Sequence, residues 1–352
     1  MRAFAIGVIV LCLAAVQAPA LARPSLFSDD APLRLVITAP FPQLVRAAAT
    51  DTKPRDATLE VSEEGAPPQR LPIKLSPRGH FRRKGDGCRF PPLLLTFDKA
   101  SAHGTLFKGQ HALKLVTYCR PDPDYEQRTI LEYLAYRLYN VMTPLSFRVR
   151  AAEVTYRTSE GDAGVTRFGF LIEDVSAVAD RNGLGRLKAR SHEVSVDRLD
   201  ASAAARVALF EYLLGNLDWE FIAAAKGEPC CHNIRLLAAA DASPATAQGV
   251  TPVPYDFDWT GFVDPPYAGP PPGIPIERVT DRYFRGYCAH GAALTAAIAE
   301  FQTHRAEMKA LIDGQPGLTP VFRTKTERFL DGFFAVLDDP RRVQSELVRH
   351  CR

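Results

Sequence analysis

Short segments that alternate apolar and polar residues fill the first half of this 352-residue chain. Alternation with a period of two is typical of strands that bury one face. It predicts strands at 33–38, 57–62, 71–75, 91–98, 111–118, 148–157 and 167–175. Apolar residues recur at helical spacing only over 125–142, where Asp124 is the expected N-cap and Gln127 its partner. The first half should therefore fold as a sheet that carries one long helix.

The pattern changes after about residue 176. Helical spacing of apolar residues predicts helices over 200–214, 292–313 and 319–350, the last one interrupted at Asp339-Pro340. Two short strands, 232–237 and 252–259, lie between the first two of these helices. The order of strands, helix, strands and then mostly helices predicts an α+β fold. We expect a sheet-rich unit over 23–175 and a mainly helical unit over 176–352.

The N-terminus has the pattern of a secretory signal. A basic start is followed by an apolar run over residues 4–16 and by a small-x-small triplet at 20–22, which predicts cleavage before Arg23. An uncleaved anchor is the weaker alternative, because the run is shorter than the roughly 20 residues that a bilayer span needs. We expect an exported chain, periplasmic or extracellular, with signal peptide 1–22 and no transmembrane segment after cleavage.

Six cysteines follow the predicted signal: Cys88, Cys119, Cys230, Cys231, Cys288 and Cys351. An even number in an exported chain indicates disulfides, although spacing does not determine the pairing. We expect Cys88–Cys119, with one of the two adjacent cysteines bonded to Cys288 and the other to Cys351. A metal site at Cys230-Cys231-His232 is a weaker alternative, because adjacent residues do not easily face one tetrahedral ion.

Charge excludes one class of function. The formal net charge is +3, and the basic residues are spread along the chain rather than gathered on one predicted element. No electrostatic footprint for nucleic acid follows from that distribution.

Acidic and amide residues stand at the ends of predicted elements in three motifs: GNLDWE at 215–220, HN at 232–233 and YDFDW at 255–259. Asp218 follows a helix, Asn233 opens a strand, and Asp256 and Asp258 share one side of the next strand. A carboxylate, an amide and a second carboxylate in this order are typical of phosphoryl-transfer sites. Asp218 would accept the substrate hydroxyl proton, while Asn233 and Asp256 would hold Mg²⁺. Asp258 would be a second ligand or would anchor a basic loop.

The same chemistry needs a cation for the phosphates further upstream. Lys114 on the strand 111–118 and Glu132 on the first helix form the expected pair. The strand that ends at Glu173 would pass between the two units, where its backbone could bind an adenine edge.

These motifs resemble the CotH kinase family, the secreted and spore-coat relatives of protein kinases. The resemblance lies in RGHFRRKGDGCRFPPLLLTFD, in GTLFKGQHALKLV followed by DYEQRTILEYLAYRL, in RFGFLIEDV, and in GNLDWE and YDFDWTG, over about residues 76–262. It implies a two-lobed protein-kinase-like fold, with an N-terminal antiparallel sheet lobe holding one helix and a C-terminal mainly helical lobe. It also implies transfer of phosphate from ATP, with Mg²⁺ or Mn²⁺, to a hydroxyl of an unidentified protein acceptor.

Residue by residue, the resemblance implies that Asp218 is the acid of the GN-x-D motif and Asp256 the metal-binding acid, with Asp258 as the alternative if the register shifts. Arg78, Arg83 and Lys84 would lie in the loop that covers the phosphates. In a protein-kinase catalytic loop the amide follows the aspartate closely, whereas Asn233 lies well beyond Asp218. Either AAAKGEPCCH is an insertion, or Asn233 is not the ligand and Asn216 is the fallback.

Three alternatives stay open. A non-catalytic, pseudokinase-like envelope binding protein would keep the same fold. A glycoside hydrolase would use Asp218 and Asp258 in a cleft lined by Trp219 and Trp259. On a purely structural interpretation, the acids of YDFDW pair with the basic stretch 78–84. The histidines are scattered and none is expected to be a catalytic base, and no G-x-S-x-G motif supports a serine hydrolase.

Overall fold

Seven strands close into a barrel in the computed structural model, which describes residues 25–62, 67–85, 87–224 and 228–352. The strands are β1 (Leu33–Thr38), β2 (Arg55–Ser62), β3 (Gln69–Pro77), β4 (Leu93–Phe97), β5 (Ala112–Val116), β6 (Val149–Arg157) and β7 (Val165–Ile172). Their order around the barrel is β1-β2-β3-β4-β5-β7-β6. The predicted signal peptide, 1–22, lies outside the described residues and stays a prediction.

The barrel closes through one parallel pair. β1 runs parallel to β6 with Leu33 opposite Ala152, whereas every other neighbouring pair is antiparallel. Alternate side chains of the strands face inward and form an apolar core, as the period of two predicts. The alternating segments of the sequence therefore mark the inner face of a closed sheet.

Eight α-helices occur among the described residues: α1 (Phe41–Ala47), α2 (Lys99–Ala102), α3 (Pro123–Met142), α4 (Val175–Arg181), α5 (Ala201–Leu214), α6 (Gly291–Asp313), α7 (Pro320–Leu337) and α8 (Pro340–Arg342). A second core, separate from the barrel interior, forms where α3, α5, α6 and α7 pack together. None of these helices is both long and apolar enough to cross a membrane.

Local sequence sets the helix ends. The side chain of Asp122, rather than that of Asp124, caps α3, with Pro123 in the first helical position that proline favours. Asp200 caps α5 by accepting from the Ala203 N–H. The predicted break at Asp339-Pro340 is confirmed, since α7 ends at Leu337.

A second sheet contains β8 (Gly185–Leu187), β9 (Ile234–Ala238) and β10 (Thr251–Pro254) in the order β10-β9-β8. β10 is an edge strand, antiparallel to β9, and it contains Pro252 and Pro254. Beyond the strand the ladder continues with a bond from the Tyr255 N–H to the Asn233 carbonyl. The predicted strand 252–259 is therefore too long, because Asp256 and Asp258 follow the strand instead of lying within it.

The predicted protein-kinase-like fold is wrong. The strands of the first half close into a seven-stranded mixed barrel instead of an open antiparallel lobe with one helix, and α1 and α2 accompany α3 in that half. The second half contains a sheet as well as helices. Strands of a barrel and strands of an open sheet have the same apolar period, so the pattern identified the strands and not their closure.

The disulfides correct two of the predicted pairings. Cys88–Cys119 is confirmed, whereas the other bonds are Cys230–Cys231 and Cys288–Cys351. The backbones around the last pair are hydrogen-bonded, with the Cys288 N–H donating to the Arg352 carbonyl. A thiolate metal site at residues 230–232 is excluded in this state, because both sulfurs are bonded to each other. Three disulfides are typical of proteins that fold in an oxidising compartment.

Candidate active site

Backbone hydrogen bonds gather the three predicted motifs. The segment 214–220 bonds to 260–262 on one side and to His232 on the other, with N···O distances between 2.9 and 3.2 Å. The bond between Tyr255 and Asn233 connects the remaining pair of motifs. Side chains from segments far apart in sequence are therefore held around one place.

Two glycines permit this approach. Gly215 ends α5 with φ of 59°, a left-handed conformation that glycine adopts without steric cost. A Cβ on Gly261 would lie 2.5 Å from the Val279 carbonyl oxygen and 2.8 Å from the Thr280 Cα, so only glycine fits there. The glycines of GNLDWE and YDFDWTG thus have a packing role as well as a place in the motifs.

Asp218 contacts both residues of the HN motif. Its Oδ1 lies 2.6 Å from His232 Nε2, and its Oδ2 accepts from Asn233 Nδ2 at 3.0 Å. Adjacent residues of a strand would face opposite sides, but Asn233 has φ of 50°, a conformation that asparagine tolerates better than most residues. The hydrogen bond that His232 makes to Asp218, together with the negative charge of that carboxylate, raises the pKa of His232.

Asn216 fixes the backbone that carries Asp218. Its Oδ1 accepts from the Asp218 N–H at 2.9 Å, and its Nδ2 donates to Glu211 Oε2 at 2.8 Å. Glu211 is fully buried, and burial raises the pKa of its carboxyl to about 8. Since both polar atoms of the Asn216 side chain are bonded, this residue positions the loop and has no free atom for the metal-ligand role held open for it.

Two cations in this region have no carboxylate partner among the described residues. Lys114 makes no ion pair, and its Nζ lies 4.7 Å from the centroid of the Tyr255 ring. Burial, together with the charges of Arg78 and Arg235, lowers the pKa of Lys114 to about 8. The Nε of Arg78 is buried without a hydrogen-bond partner. Desolvated cations are costly unless an anion accompanies them, so this arrangement suits an anionic ligand.

Asp256 interacts electrostatically both with Lys114 and with His232 of the Asp218 group. It has φ of 68°, and its N–H donates to the Tyr136 hydroxyl at 2.9 Å. Its negative charge partly offsets the lowering of the Lys114 pKa by burial and adds to the raising of the His232 pKa by Asp218. Its carboxylate makes no hydrogen bond or ion pair with the described residues and is available to a ligand.

Asp258 belongs to a different, buried network. Arg82 Nη1 lies 3.1 Å from Glu132 Oε2 and 3.9 Å from Asp258 Oδ2, and the Tyr267 hydroxyl donates to Asp258 at 3.2 Å. Burial and the charge of Asp256 raise the pKa of Asp258 to about 6, and burial raises that of Glu132 to about 8. The structure therefore pairs Glu132 with Arg82, not with Lys114. The structural interpretation, in which the acids of YDFDW pair with the basic stretch 78–84, therefore holds for Asp258 and not for Asp256.

Three other predicted site residues have different surroundings. Arg83 donates to the carbonyls of Gly79, Ala48 and Ala49, and Lys84 is exposed. Glu173 is buried and pairs with Arg181, and its backbone N–H donates to the Arg148 carbonyl. That N–H is not available to an adenine edge.

Sequence reasoning missed His232, Arg82 and Arg235. The HN motif contained a signal for His232. Its neighbour Asn233 was already a candidate ligand close to Asp218, so the adjacent histidine could contact the same carboxylate. Arg82 has two basic neighbours in FRRK, and nothing in that stretch distinguishes the one that turns inward.

Two cavities lined by described residues differ in their position relative to the candidate site. A cavity of about 1370 Å³ lies between the N-terminal segment, β6 and α3, and several of its charged side chains form ion pairs, such as Arg150–Asp29 and Arg137–Asp30. A smaller pocket of about 250 Å³ adjoins Asp218. The smaller pocket is the one that belongs to the candidate site, because Asp218 lines it.

Among the described residues, no group of three or more His, Cys, Asp or Glu side chains could hold a metal ion. Mg²⁺ nevertheless binds sites with one or two carboxylates when phosphates and waters complete its six ligands. Asn233 Oδ1 and the Asp256 carboxylate accept no hydrogen bond from the described residues, so they fit that role.

No protein-family model matches the chain, and no curated protein matches it. The resemblance of its motifs to the CotH family stays a prediction.

Proposed function

We propose that this protein is an exported phosphotransferase that binds a nucleoside triphosphate and transfers its terminal phosphoryl group to a hydroxyl. One observation carries the proposal. Lys114, which is largely desolvated, and Arg78, whose Nε is buried without a partner, make no ion pair with a carboxylate of the described residues; the charge of Asp256 acts on Lys114 and also on His232 of the Asp218–His232–Asn233 group. An anion-binding half next to a proton-accepting half is what phosphoryl transfer requires.

The anion-binding half would receive the phosphates. Arg78, Lys114 and Arg235 contribute three positive charges around Tyr255, while Asp256 and Asp174 contribute two negative charges near Lys114. The remaining positive charge suits an anionic ligand such as a polyphosphate. Because a bound polyphosphate would favour the charged form of Lys114, we expect binding to raise the pKa of this lysine above about 8.

The proton-accepting half would act on the acceptor. The acceptor oxygen forms a bond to the terminal phosphorus, and the bond from that phosphorus to the bridging oxygen breaks, leaving the electron pair on the diphosphate. The acceptor proton passes to the Asp218 carboxylate, which His232 and Asn233 hold in place. Asn233 and Asp256 would hold Mg²⁺ or Mn²⁺, which when bound neutralises phosphate charge.

The glycoside hydrolase alternative fits the geometry less well. Asp258 is held in the network with Arg82 and Tyr267, and Trp219 is only 2% exposed with its indole N–H bonded to the Asn216 carbonyl. A sugar cleft needs two accessible carboxyls and exposed aromatic faces. A binding-only protein is the remaining alternative and is separated by experiment.

The test is transfer of label from [γ-³²P]ATP with Mg²⁺ or Mn²⁺ to a mixed-sequence hydroxyl peptide library, with the disulfide-intact protein. We expect Asp218→Asn to lower transfer by at least about 100-fold, within the usual range for loss of a general base. Asp241→Asn, an exposed acid outside the site, is the matched control and should leave transfer unchanged. Triphosphate binding without transfer in any variant would identify the binding-only alternative, and no binding would refute the proposal.

A further inference from the structure

The pocket beside Asp218 has an unusual lining for a site that handles a hydroxyl. Its volume is about 250 Å³, and Asp218 is the one ionisable side chain among the described residues that line it. The remaining walls are apolar side chains and prolines, namely Leu217, Trp259, Ile276, Val279 and the prolines at 270–272. A carboxylate therefore lies at the border of a compartment that is otherwise apolar.

Two backbone carbonyls near the pocket already accept hydrogen bonds from within the protein. The Gly215 carbonyl accepts from the Gly261 N–H, and the Gly269 carbonyl accepts from the Trp259 indole N–H at 3.4 Å. The Trp259 ring is held edge-on against Phe81, with ring centroids 4.7 Å apart. A sugar would lose hydration here without equivalent hydrogen bonds, because these walls offer few free polar groups. An apolar ring would lose little.

We propose that the acceptor is phenolic, a tyrosine side chain whose ring fills this pocket and whose hydroxyl lies at Asp218. The inference rests on the proposed phosphoryl transfer and names its substrate class. A compartment of this size accommodates a single aromatic ring, and Trp259 offers it an aromatic neighbour. Serine or threonine would place the hydroxyl at Asp218 and leave the apolar walls uncovered.

The chemistry of a phenol agrees with the groups present. Its hydroxyl has an ordinary pKa near 10, far below that of an aliphatic alcohol, so its proton moves more readily to the carboxylate. The phenolic oxygen forms the new bond to phosphorus, the bridging oxygen of the donor leaves with its electron pair, and the proton passes to Asp218. His232 stays hydrogen-bonded to the other oxygen of that carboxylate.

The first experiment measures acceptor binding without nucleotide. N-acetyl-tyrosinamide or N-acetyl-serinamide is added to the ¹⁵N-labelled protein, and the indole N–H signals of its two tryptophans are followed. We expect the tyrosine compound to shift the Trp259 signal and to leave the buried Trp219 signal in place. We expect the serine compound, at equal concentration, to produce at most about one tenth of that shift. Equal shifts from the two compounds, or no shift with the tyrosine compound, would overturn the inference.

The second experiment fills the pocket. Ile276 lines it, whereas Ile274 on the same loop does not, so Ile276→Trp and Ile274→Trp form a matched pair. Ile276→Trp should lower the kcat/KM for a tyrosine peptide at least tenfold while ATP affinity stays within twofold of the wild type. Ile274→Trp should change neither quantity. Unchanged ATP affinity also shows that each variant is folded.

The outcomes separate this inference from the proposed function. Asp218-dependent transfer to a serine peptide that equals or exceeds transfer to its tyrosine counterpart overturns the phenolic acceptor and leaves the phosphotransferase intact. Equal losses in the Ile276→Trp and Ile274→Trp variants also overturn it. Absence of both ATP binding and label transfer, with the Trp259 shift retained, refutes the phosphotransferase while still supporting a phenol-binding pocket.

Discussion

Lys114 illustrates the cost of burying a cation without an ion-pair partner among the described residues. Burial and two nearby guanidinium groups lower its pKa from 10.5 to about 8, so at neutral pH the folded protein keeps a charge that its surroundings disfavour. In the unfolded chain the same lysine has its ordinary pKa. Folding stability therefore includes a penalty below about pH 8 that disappears as pH rises toward 10.5.

Replacing Lys114 by methionine should therefore stabilise the ligand-free protein. At pH 7 we expect the free energy of unfolding to rise by about 1–3 kcal/mol, because the penalty for the buried charge is removed. The increase in wild-type stability between pH 8 and 10.5 should be absent from the variant. Urea unfolding across this pH range measures both effects.

The proposed function also predicts that ATP raises the thermal stability of the wild type and that Lys114→Met loses this stabilisation. Lys74→Met, which changes an exposed strand lysine paired with Asp56, is the control and should respond to ATP as the wild type does. A Lys114→Met protein that is less stable at pH 7 would contradict the assignment of Lys114 as a binding group without a counter-ion.

At the scale of elements, the loop after α5 connects the end of the helix to the position of Asp218. Gly215 ends the helix, Asn216 bridges the buried Glu211 carboxylate and the Asp218 N–H, and Asp218 reaches His232. This series of hydrogen bonds begins at the buried Glu211 carboxylate on α5. The position of Asp218 is therefore fixed by the end of the helix as well as by its hydrogen bonds to His232 and Asn233.

Asn216→Ala should release this loop. The Glu211 carboxylate would lose its bond inside the core, which costs about 1–3 kcal/mol of unfolding free energy. The pKa of His232 should fall towards its ordinary value, because that pKa is raised by its hydrogen bond to Asp218. Histidine NMR titration measures this change. Asn182→Ala, which removes bonds at the end of α4, is the control and should leave the His232 pKa in place.

The sequence predicted the elements better than their assembly. Apolar periodicity located nine strands and the major helices, because burial of one face determines which residues alternate. It could not predict barrel closure, which depends on β1 meeting β6 across more than a hundred residues. The motifs of Asp218, Asn233 and Asp256 do meet, since each follows or begins an element at the same border. Glu132 pairs with Arg82 instead of Lys114. The sequence could not predict this pair, because the path of the 78–84 loop leaves no periodic pattern in the residues.

At the scale of the whole molecule, the disulfides differ in what they constrain. Cys288–Cys351 joins residues 63 positions apart and brings the backbone of Arg352 against that of Gly286. The Arg352 side chain in turn bonds to Glu220, two residues after Asp218. Cys230–Cys231 joins neighbours and closes no length of chain. The first bond restricts the unfolded ensemble strongly and the second hardly at all.

The double variant Cys288→Ser with Cys351→Ser should therefore lower the free energy of unfolding by about 4 kcal/mol. Cys230→Ser with Cys231→Ser should lower it by less than about 1 kcal/mol, since no loop is opened. Urea unfolding followed by circular dichroism measures both values. Equal losses in the two double variants would show that loop entropy is not the source of the difference.

The two prolines of β10 affect how molecules of this protein meet each other. The Tyr255 N–H points towards β9, so by alternation the N–H groups at positions 252 and 254 would point to the free edge, and proline supplies neither. A strand of another molecule could not find backbone donors there. The barrel, being closed, offers no edge among its described strands. Protection of the β10 edge against intermolecular sheet growth is thus part of the same architecture that holds the site.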